Sequence, residues 1–203
     1  MDAQTCLKKM QEAGVLAMAT VDEHGAPQIR SVSAIHYDKG GFHFFTARGK
    51  EMSKQLLSDG RIQTLVNTRL NEMIRLSGKA APVCEERQKK CIDTIFDEYK
   101  FLSELYPNAT RYVGIVFEVK NATIEYFNLD ARPIFREVYT LGNANILTKG
   151  YVITNKCIAC GKCATVCPQH CIEVGTPYKI EQNNCLHCGN CFENCPTDAI
   201  EKK

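Results

Sequence analysis

The sequence lacks the features that would place it in several common protein classes. It has no apolar run approaching the roughly 20 residues needed to span a bilayer, and residues 1–14 lack the apolar stretch of a secretory signal. We therefore expect a cytoplasmic protein without a membrane partner. The 25 basic and 23 acidic residues leave a formal net charge of +2, which gives no basis for nucleic-acid binding. No Gly-x-Gly-x-x-Gly motif follows a strand-like segment, so no dedicated dinucleotide domain is expected.

Cysteine, in contrast, is abundant, and eight of the 12 cysteines form two copies of the spacing C-x2-C-x2-C-x3-C-P. The two runs are Cys157, Cys160, Cys163 and Cys167 before Pro168, and Cys185, Cys188, Cys191 and Cys195 before Pro196. This spacing is typical of bacterial-type ferredoxins, in which it binds [4Fe–4S] clusters. Three closely spaced thiolates bind three irons of a cubane, so the fourth thiolate must come from elsewhere.

The resemblance to two-cluster ferredoxins implies a crossed ligand set, because there the cysteine before proline binds the other cluster. Carried onto this sequence, Cys195 completes the cluster held by Cys157, Cys160 and Cys163. Likewise, Cys167 completes the cluster held by Cys185, Cys188 and Cys191. We therefore expect two [4Fe–4S] clusters and one-electron transfer in this part of the chain.

The two runs belong to an internal repeat, in which each position recurs 28 residues later, as from Cys157 to Cys185. Gly161 aligns with Gly189, and Ile172 with Ile200, as a duplicated module requires. Zinc and disulfides are the alternatives. Zinc favours two separated C-x2-C pairs, and disulfides are favoured in secreted proteins, so iron–sulfur clusters fit the pattern best.

Hydrophobic periodicity divides the remaining sequence into strands and helices. An antiparallel meander is expected over residues 15–21, 27–37 and 42–46, and a hairpin over residues 112–128. Residues 61–68 and 72–81 are further strand candidates, and helical spacing appears at residues 3–13, 49–57 and 84–99. The expected domains are residues 1–130, a connector at 131–150 that packs against other residues, and a cysteine-rich domain at 151–203.

A second group of motifs lies between Gly25 and Leu57. The order is G-x-P-x-x-R-x-V from Gly25, a strand that ends in Phe44-Phe45-Thr46, and then the segment from Arg48 to Leu56. This order resembles the pyridoxamine 5′-phosphate oxidase-like family of FMN-binding split β-barrels, over roughly residues 1–130. The resemblance implies a mainly β plus α+β protein. Its antiparallel six-stranded split β-barrel with flanking helices binds FMN and is followed by a small two-cluster ferredoxin-like domain.

The same resemblance implies an FMN site in a groove between two barrels, and hence a homodimer through the barrel domain. The implied FMN contacts are Arg30, Val32, Ser33, Phe45, Thr46, Lys50 and Lys54. The chemistry of these residues agrees with this role, because a flavin phosphate needs several donors. Arg30 is suited to bind it bidentately, and Lys50 and Lys54 lie near a helix N-terminus, which attracts anions. Taken singly, Arg30 and Thr46 are more typical of ordinary strand residues, and Lys50 and Lys54 are more typical of an exposed helix face.

The other cysteines and the histidines give weaker signals. Cys84 and Cys91 are expected to pack in the core on one helical face, and Cys6 is expected to be packed as well. Cys171 is expected not to be a ligand, because the repeat places Ala199 at the equivalent position. His187 lies inside the second cysteine loop, where it either tunes a cluster or is a solvated loop residue.

A flavin that exchanges electron pairs and two clusters that each carry one electron together make a two-electron to one-electron converter. We therefore expect an FMN-dependent oxidoreductase. Electrons would pass between a redox partner protein or nicotinamide donor, the clusters and FMN, which oxidises or reduces a small molecule. An electron carrier without substrate chemistry and a redox or flavin sensor are the alternatives. The basic and histidine residues that true pyridoxamine phosphate oxidases place late in the chain are missing, which argues against vitamin B6 chemistry.

Overall fold

The computed structural model describes residues 1–147 and 149–203 and divides them into two compact units. The barrel unit comprises Met1–Tyr126 and Val138–Asn145, and the cysteine unit comprises Phe127–Glu137 and Ile146–Lys203. The segment that we expected as a connector, residues 131–150, is thus shared between the two units. None of the helices in the described part of the chain has both the length and the apolar character that a membrane crossing requires.

The barrel unit is built from antiparallel strands and four α-helices, and one end of each of its last two strands extends into residues 127–137 of the cysteine unit. Its helices are α1 (Ala3–Ala13), α2 (Glu51–Ser58), α3 (Glu85–Glu98) and α4 (Phe101–Leu105). Its first strands are β1 (Leu16–Val21), β2 (Pro27–Val32), β3 (Ile35–Asp38), β4 (Gly41–Ala47), β5 (Arg61–Asn67) and β6 (Glu72–Lys79). They are followed by β7 (Ala81–Pro82), β8 (Gly114–Val119), β9 (Ala122–Asn128) and β10 (Phe135–Leu141).

These strands form two sheets, one in the order β10-β9-β6-β5-β1-β2 and the other in the order β3-β4-β8-β7. The fold is the expected antiparallel split barrel, although its described strands number ten rather than six. The segment 27–37, expected as one strand, is interrupted after Val32, and its second half enters the other sheet. Around this crossing the amide of Ile35 bonds to the carbonyl of Ser33, and that of Phe45 to the carbonyl of Ala34.

Helices α1 and α3 form where apolar residues recur at helical spacing. Helix α1 is capped at its N-terminus by Asp2, whose carboxylate accepts a hydrogen bond from the amide of Thr5 at 2.8 Å, and at its C-terminus by Gly14, which has a φ of 79°. Helix α3 buries Ile92, Ile95 and Phe96. These side chains join Phe45 and Val116 of the four-stranded sheet in one apolar cluster, so α3 covers one face of that sheet.

The cysteine unit is small and has little regular structure. Its elements are β11 (Tyr151–Ile153), α5 (Lys162–Thr165), β12 (Ile172–Glu173), β13 (Lys179–Ile180), α6 (Asn190–Glu193) and β14 (Ile200–Lys202). Strand β11 pairs with β14, and β12 pairs with β13, both antiparallel. Its core is made of cysteines together with a few apolar residues, including Tyr151, Ile172 and Ile200.

The internal repeat extends to the backbone conformation of the cysteine unit. Ala159 and His187, which are equivalent in the repeat, both have a φ of 56°. Gly161 and Gly189, also equivalent, have φ values of 77° and 85° immediately before α5 and α6. Non-glycine residues rarely adopt positive φ, so its recurrence at matching positions shows that the two halves fold alike.

Candidate functional site

Two cavities in the cysteine unit gather the eight motif cysteines into the two predicted groups. One cavity is lined by Cys157, Cys160, Cys163 and Cys195. The other is lined by Cys167, Cys185, Cys188 and Cys191. In each cavity the fourth thiol comes from the opposite run, as the crossed ligand set requires.

Backbone amides surround these thiols in a way that suits anionic sulfur. The amide of Ala159 lies 3.4 Å from Sγ of Cys157, and the equivalent amide of His187 lies 3.3 Å from Sγ of Cys185. Such hydrogen bonds to ligand sulfurs are one of the means by which proteins set cluster potentials. Burial raises the pKa of the Cys191 thiol to about 11. This thiol therefore keeps its proton at neutral pH unless a metal ion displaces it.

Cys171 is a fifth thiol at the second cavity. It is buried, lines the same cavity, and its Sγ lies 3.6 Å from Sγ of Cys167. Burial raises the pKa of the Cys171 thiol strongly, and the neighbouring Cys167 and Cys185 add to this effect. Burial raises the pKa of Cys191 as well, so it is the sequence repeat, with Ala199 at the equivalent position, that indicates a non-ligand here.

His187 is not a solvated loop residue. Its Nδ1 lies 2.6 Å from Nη1 of Arg136, and the guanidinium of Arg136 also stacks 4.5 Å above the ring centroid of Phe127. The segment 127–137 therefore supplies an arginine to the second cysteine loop. No sequence pattern indicates this contact, since Arg136 lies 51 residues away in a segment without a motif.

In the barrel unit, Arg30 lies in a network of polar side chains. Its guanidinium donates to Oγ1 of Thr20 at 2.5 Å and to Oε1 of Gln55 at 3.0 Å, and Thr20 also donates to Gln55. Burial lowers the pKa of Arg30, but a guanidinium stays charged at any physiological pH. Since Gln55 belongs to α2, this network attaches Arg30 to the helix that carries Lys54.

The N-terminus of α2 offers further donors beside this network. Its N-cap residue, Lys50, is exposed and provides no side-chain acceptor, so the amides of the first helical turn have no side-chain cap. Lys54 is also exposed, and its ammonium lies 2.9 Å from the carboxylate of Glu51. Arg30 uses two of its five N–H groups on Thr20 and Gln55, and the other three remain available. Together with the first-turn amides of α2 and the two lysines, these donors fit a phosphate group such as that of FMN.

The other expected FMN contacts occupy varied environments. Val32 is buried at the end of β2, and Ser33 lies at the crossing between the two sheets. Thr46 is buried in β4. The Phe45 ring packs edge-on against Phe96, with centroids 5.2 Å apart, and against Tyr106 at 5.4 Å. Its side chain is therefore part of the core, and only its backbone remains for a flavin contact.

The sequence did not identify Thr20 and Gln55 as site residues. Both side chains are neutral. The one sequence signal for them is weak, namely a polar residue at a position of β1 or α2 where the pattern of the element predicts a buried side chain.

The cysteines outside the motifs also differ from expectation in part. Cys6 is buried as expected, but Cys84 is exposed at the N-cap of α3 and Cys91 is only partly buried, so Cys84 is not a core residue.

Comparisons with known proteins match the N-terminal and C-terminal parts of the chain to two different families. A family model described as pyridoxamine 5′-phosphate oxidase matches residues 3–124, and one described as a 4Fe-4S dicluster domain matches residues 156–199. Pyridoxine/pyridoxamine 5′-phosphate oxidases from Escherichia coli O9:H4 (strain HS) and from strain K12 are each 34% identical over 79 residues. These 79 residues are 38% of this chain and only 36% of each relative.

Solved structures show the same fold at low identity. A NimC/NimA family protein from Clostridium acetobutylicum has a TM-score of 0.57 at 18% identity, covering 68% of this chain and 91% of its own. A pyridoxamine 5′-phosphate oxidase-related, FMN binding protein from Nostoc punctiforme PCC 73102 has a TM-score of 0.53 at 15% identity. It covers 66% of this chain and 86% of its own. At these identities the likeness concerns the fold alone.

Proposed function

Because the chain belongs to the pyridoxamine 5′-phosphate oxidase family and carries a 4Fe-4S dicluster domain, we propose that it is an FMN- and iron–sulfur-dependent oxidoreductase. Electrons would pass between an external donor, two [4Fe–4S] clusters and FMN, where a small molecule is reduced or oxidised. The observation that carries the proposal is the gathering of four motif thiols around each of two cavities in a chain whose other unit is a flavin-family barrel.

The cofactors supply the redox chemistry: FMN exchanges electrons in pairs or singly, and a [4Fe–4S] cluster carries one electron at a time. The residues of the chain bind and tune them. We assign Cys157, Cys160, Cys163 and Cys195 to one cluster, and Cys185, Cys188, Cys191 and Cys167 to the other. The amides of Ala159 and His187 stabilise negative charge on the ligand sulfurs.

On the barrel, we assign the flavin phosphate to Arg30, Thr46, Lys50, Lys54 and the first-turn amides of α2. Thr20 and Gln55 hold the guanidinium of Arg30 in place. Val32, Ser33 and the backbone of Phe45 are assigned to the edge of the flavin ring. Because the family resemblance places the groove between two barrels, the proposal includes a homodimer. The external donor is a redox partner protein or a nicotinamide.

The proposed reaction is not the oxidation of pyridoxamine phosphate. The chain matches only 36% of the length of the curated oxidases, and it lacks the late basic and histidine residues expected for that substrate. An iron–sulfur domain follows the barrel instead. Protein-bound one-electron carriers, rather than dioxygen, are therefore the proposed route by which electrons reach or leave the flavin.

The test is anaerobic purification followed by iron, sulfide and flavin analysis and a steady-state assay. Two [4Fe–4S] clusters predict about eight irons per chain, together with about one FMN. Exchanging Cys163 and Cys191 for alanine should remove iron and leave FMN bound, whereas Cys84→Ala should change neither. Zinc in place of iron, or a barrel without flavin, would contradict the corresponding half. Binding of both cofactors without turnover of any organic acceptor would instead indicate an electron carrier or a sensor.

A further inference from the structure

Two histidines and an aspartate lie together on one face of the four-stranded sheet. His36 of β3 pairs directly with His43 of β4, and Asp38 follows His36 by two residues, so all three side chains share a face. One nitrogen or oxygen from each of them lies within 4.8 Å of the others. Metal–ligand bonds of about 2.0–2.2 Å require ligand atoms no more than about 4.4 Å apart, so small side-chain movements would close the site.

The central residue of this cluster is buried without a hydrogen-bond partner. The His43 side chain is only 6% exposed, and neither of its ring nitrogens makes a hydrogen bond within the described residues. Nδ1 lies 3.7 Å from Oδ2 of Asp38, and Nε2 lies 3.4 Å from Oε2 of Glu118, without hydrogen-bond alignment. A buried imidazole with both nitrogens unbonded is costly unless a ligand that is absent from the protein itself satisfies it.

Each histidine also has a carboxylate on its far side. Nδ1 of His36 lies 2.6 Å from Oε1 of Glu98, at the end of α3, which leaves Nε2 of His36 as a ligand. Glu118 faces His43 from β8, in register with it. Histidines that bind metals commonly donate their second N–H to a carboxylate, which orients the ring and fixes its tautomer. His36 therefore already has such an outer partner, and Glu118 lies close enough to Nε2 of His43 to become one after a small reorientation of the side chains.

We propose that His36, Asp38 and His43 form a binding site for a divalent transition-metal ion, with Glu98 and Glu118 orienting the two imidazoles. Two imidazoles and one carboxylate suit Zn²⁺ and Fe²⁺. His36 and Asp38 are 29% and 42% exposed, so one side of the ion faces solvent and keeps a position open for water or a small ligand. The site shares no residue with the motif cysteines or with the proposed flavin contacts.

The charges around the site also favour a cation. Asp38, Glu98 and Glu118 bring three carboxylates to this face, and the cations beside them, Arg87 and Lys120, both contact Glu118.

The test uses anaerobically purified protein with its clusters and flavin in place, dialysed against a weak chelator and equilibrated with Zn²⁺. Elemental analysis then gives zinc per chain, and unchanged iron shows that the cysteines have not exchanged their metal. We expect one zinc per chain in the wild type. Asp38→Asn and His36→Gln should each weaken zinc binding by at least 10-fold, and Glu98→Gln by about 10- to 100-fold as an outer partner.

Asp38→Asn is the most informative variant, because Oδ1 of this side chain accepts the amide of Gly40 at 2.7 Å and an asparagine oxygen retains that turn. His24→Gln is the matched control, since His24 is 83% exposed and remote in sequence from the site, and its zinc content should equal that of the wild type. Equal zinc binding by wild type, Asp38→Asn and His36→Gln would overturn the proposal. So would a wild type that binds no zinc, as expected if His43 merely forms ion pairs with Asp38 and Glu118.

Discussion

Arg30 is the side chain on which the proposed binding of the flavin phosphate depends most. Thr20 and Gln55 fix its guanidinium, and its remaining N–H groups are the donors best suited to a phosphate. Replacing Arg30 by alanine should weaken FMN binding by at least 10-fold, because hydrogen bonds to charged groups contribute about 1.5–3 kcal/mol each. Arg30→Lys should restore only part of it, since an ammonium cannot bind bidentately. Flavin fluorescence titration measures both, and wild-type affinity in Arg30→Ala would refute the assignment.

The two neighbouring thiols, Cys167 and Cys171, have different predicted roles although both line one cavity. Cys171→Ala should retain the full iron content, because the equivalent position of the repeat, Ala199, has no thiol. Cys167→Ala should lose iron from the second cluster, since it removes a ligand. Iron analysis and low-temperature electron paramagnetic resonance of the reduced proteins separate the two. A larger loss in Cys171→Ala than in Cys167→Ala would reverse the assignment.

At the residue scale, the sequence identified the charged and sulfur-bearing residues but not their neutral partners. Cluster ligands are predictable because a cubane imposes their spacing on a short stretch of chain. Thr20 and Gln55 are not predictable in this way, because their roles depend on β1 and α2 meeting at Arg30 in the folded chain. His36 and His43 likewise look scattered until the turn of the β3–β4 hairpin sets their register.

At the scale of elements, a buried carboxylate joins α1 to the six-stranded sheet. Lys9 of α1 donates to both oxygens of Glu72 in β6 at 2.7 and 2.8 Å, and Tyr126 of β9 donates to Oε1 at 2.7 Å. Desolvation acts to raise the pKa of Glu72, but the hydrogen bonds from Lys9, Tyr126 and Thr68 outweigh it and hold the pKa below its usual value.

This arrangement predicts a pH dependence of stability. A carboxyl whose pKa is lower in the folded state stabilises the fold above its unfolded pKa of about 4.3, and the stabilisation is lost as the pH falls through the folded value. Glu72→Gln should therefore be less stable than wild type at pH 7, and the difference should shrink below about pH 4.3. Denaturant unfolding at several pH values gives this difference. A gap that is constant with pH would contradict the prediction.

The packing of β8 against β4 leaves no room for a side chain at Gly114. A Cβ there would lie 1.8 Å from the Phe45 ring, which Phe96 and Tyr106 hold in place. Gly114→Ala should destabilise the protein by about 1–3 kcal/mol, as overpacking does. Gly49→Ala is the control, because a Cβ at Gly49 has nothing within 4 Å, and its change should be within about 0.5 kcal/mol. Equal unfolding midpoints for both variants would contradict the packing described.

Elements were predictable where periodicity was strong, as in α1 and α3, and were missed where it was weak. Strand β10 lies in the stretch that we expected to be a connector. Five of its seven residues, Phe135 to Tyr139, are all partly buried, so the strand lacks the alternation that a periodic pattern would show. The break between β2 and β3 was missed for a different reason. Positions 33 and 34 are serine and alanine rather than glycine or proline, so no turn residue marks the crossing between the two sheets.

At the scale of the whole molecule, the sequence revealed two chemistries in one chain, because each has its own motifs. The path of residues 127–145 was not predictable. Their assignment to one unit or the other depends on contacts with residues that are distant in the sequence. Asn184 donates to the carbonyl of Ile134 at 2.8 Å, and Arg136 contacts His187. Further along, the amide of Asn143 donates to Asn121 at 2.8 Å. One short segment thus contributes to both units, which no local pattern indicates.

The most direct test of the account is whether electrons reach the flavin through the clusters. Anaerobic stopped-flow mixing of the oxidised protein with a pre-reduced ferredoxin follows the flavin absorbance in the wild type and in a variant with Cys163 and Cys191 exchanged for alanine. The account predicts flavin reduction within the wild-type protein and its loss, or a slowing of at least 10-fold, in the variant that retains FMN but lacks clusters. Flavin reduction at the same rate in both proteins would contradict it.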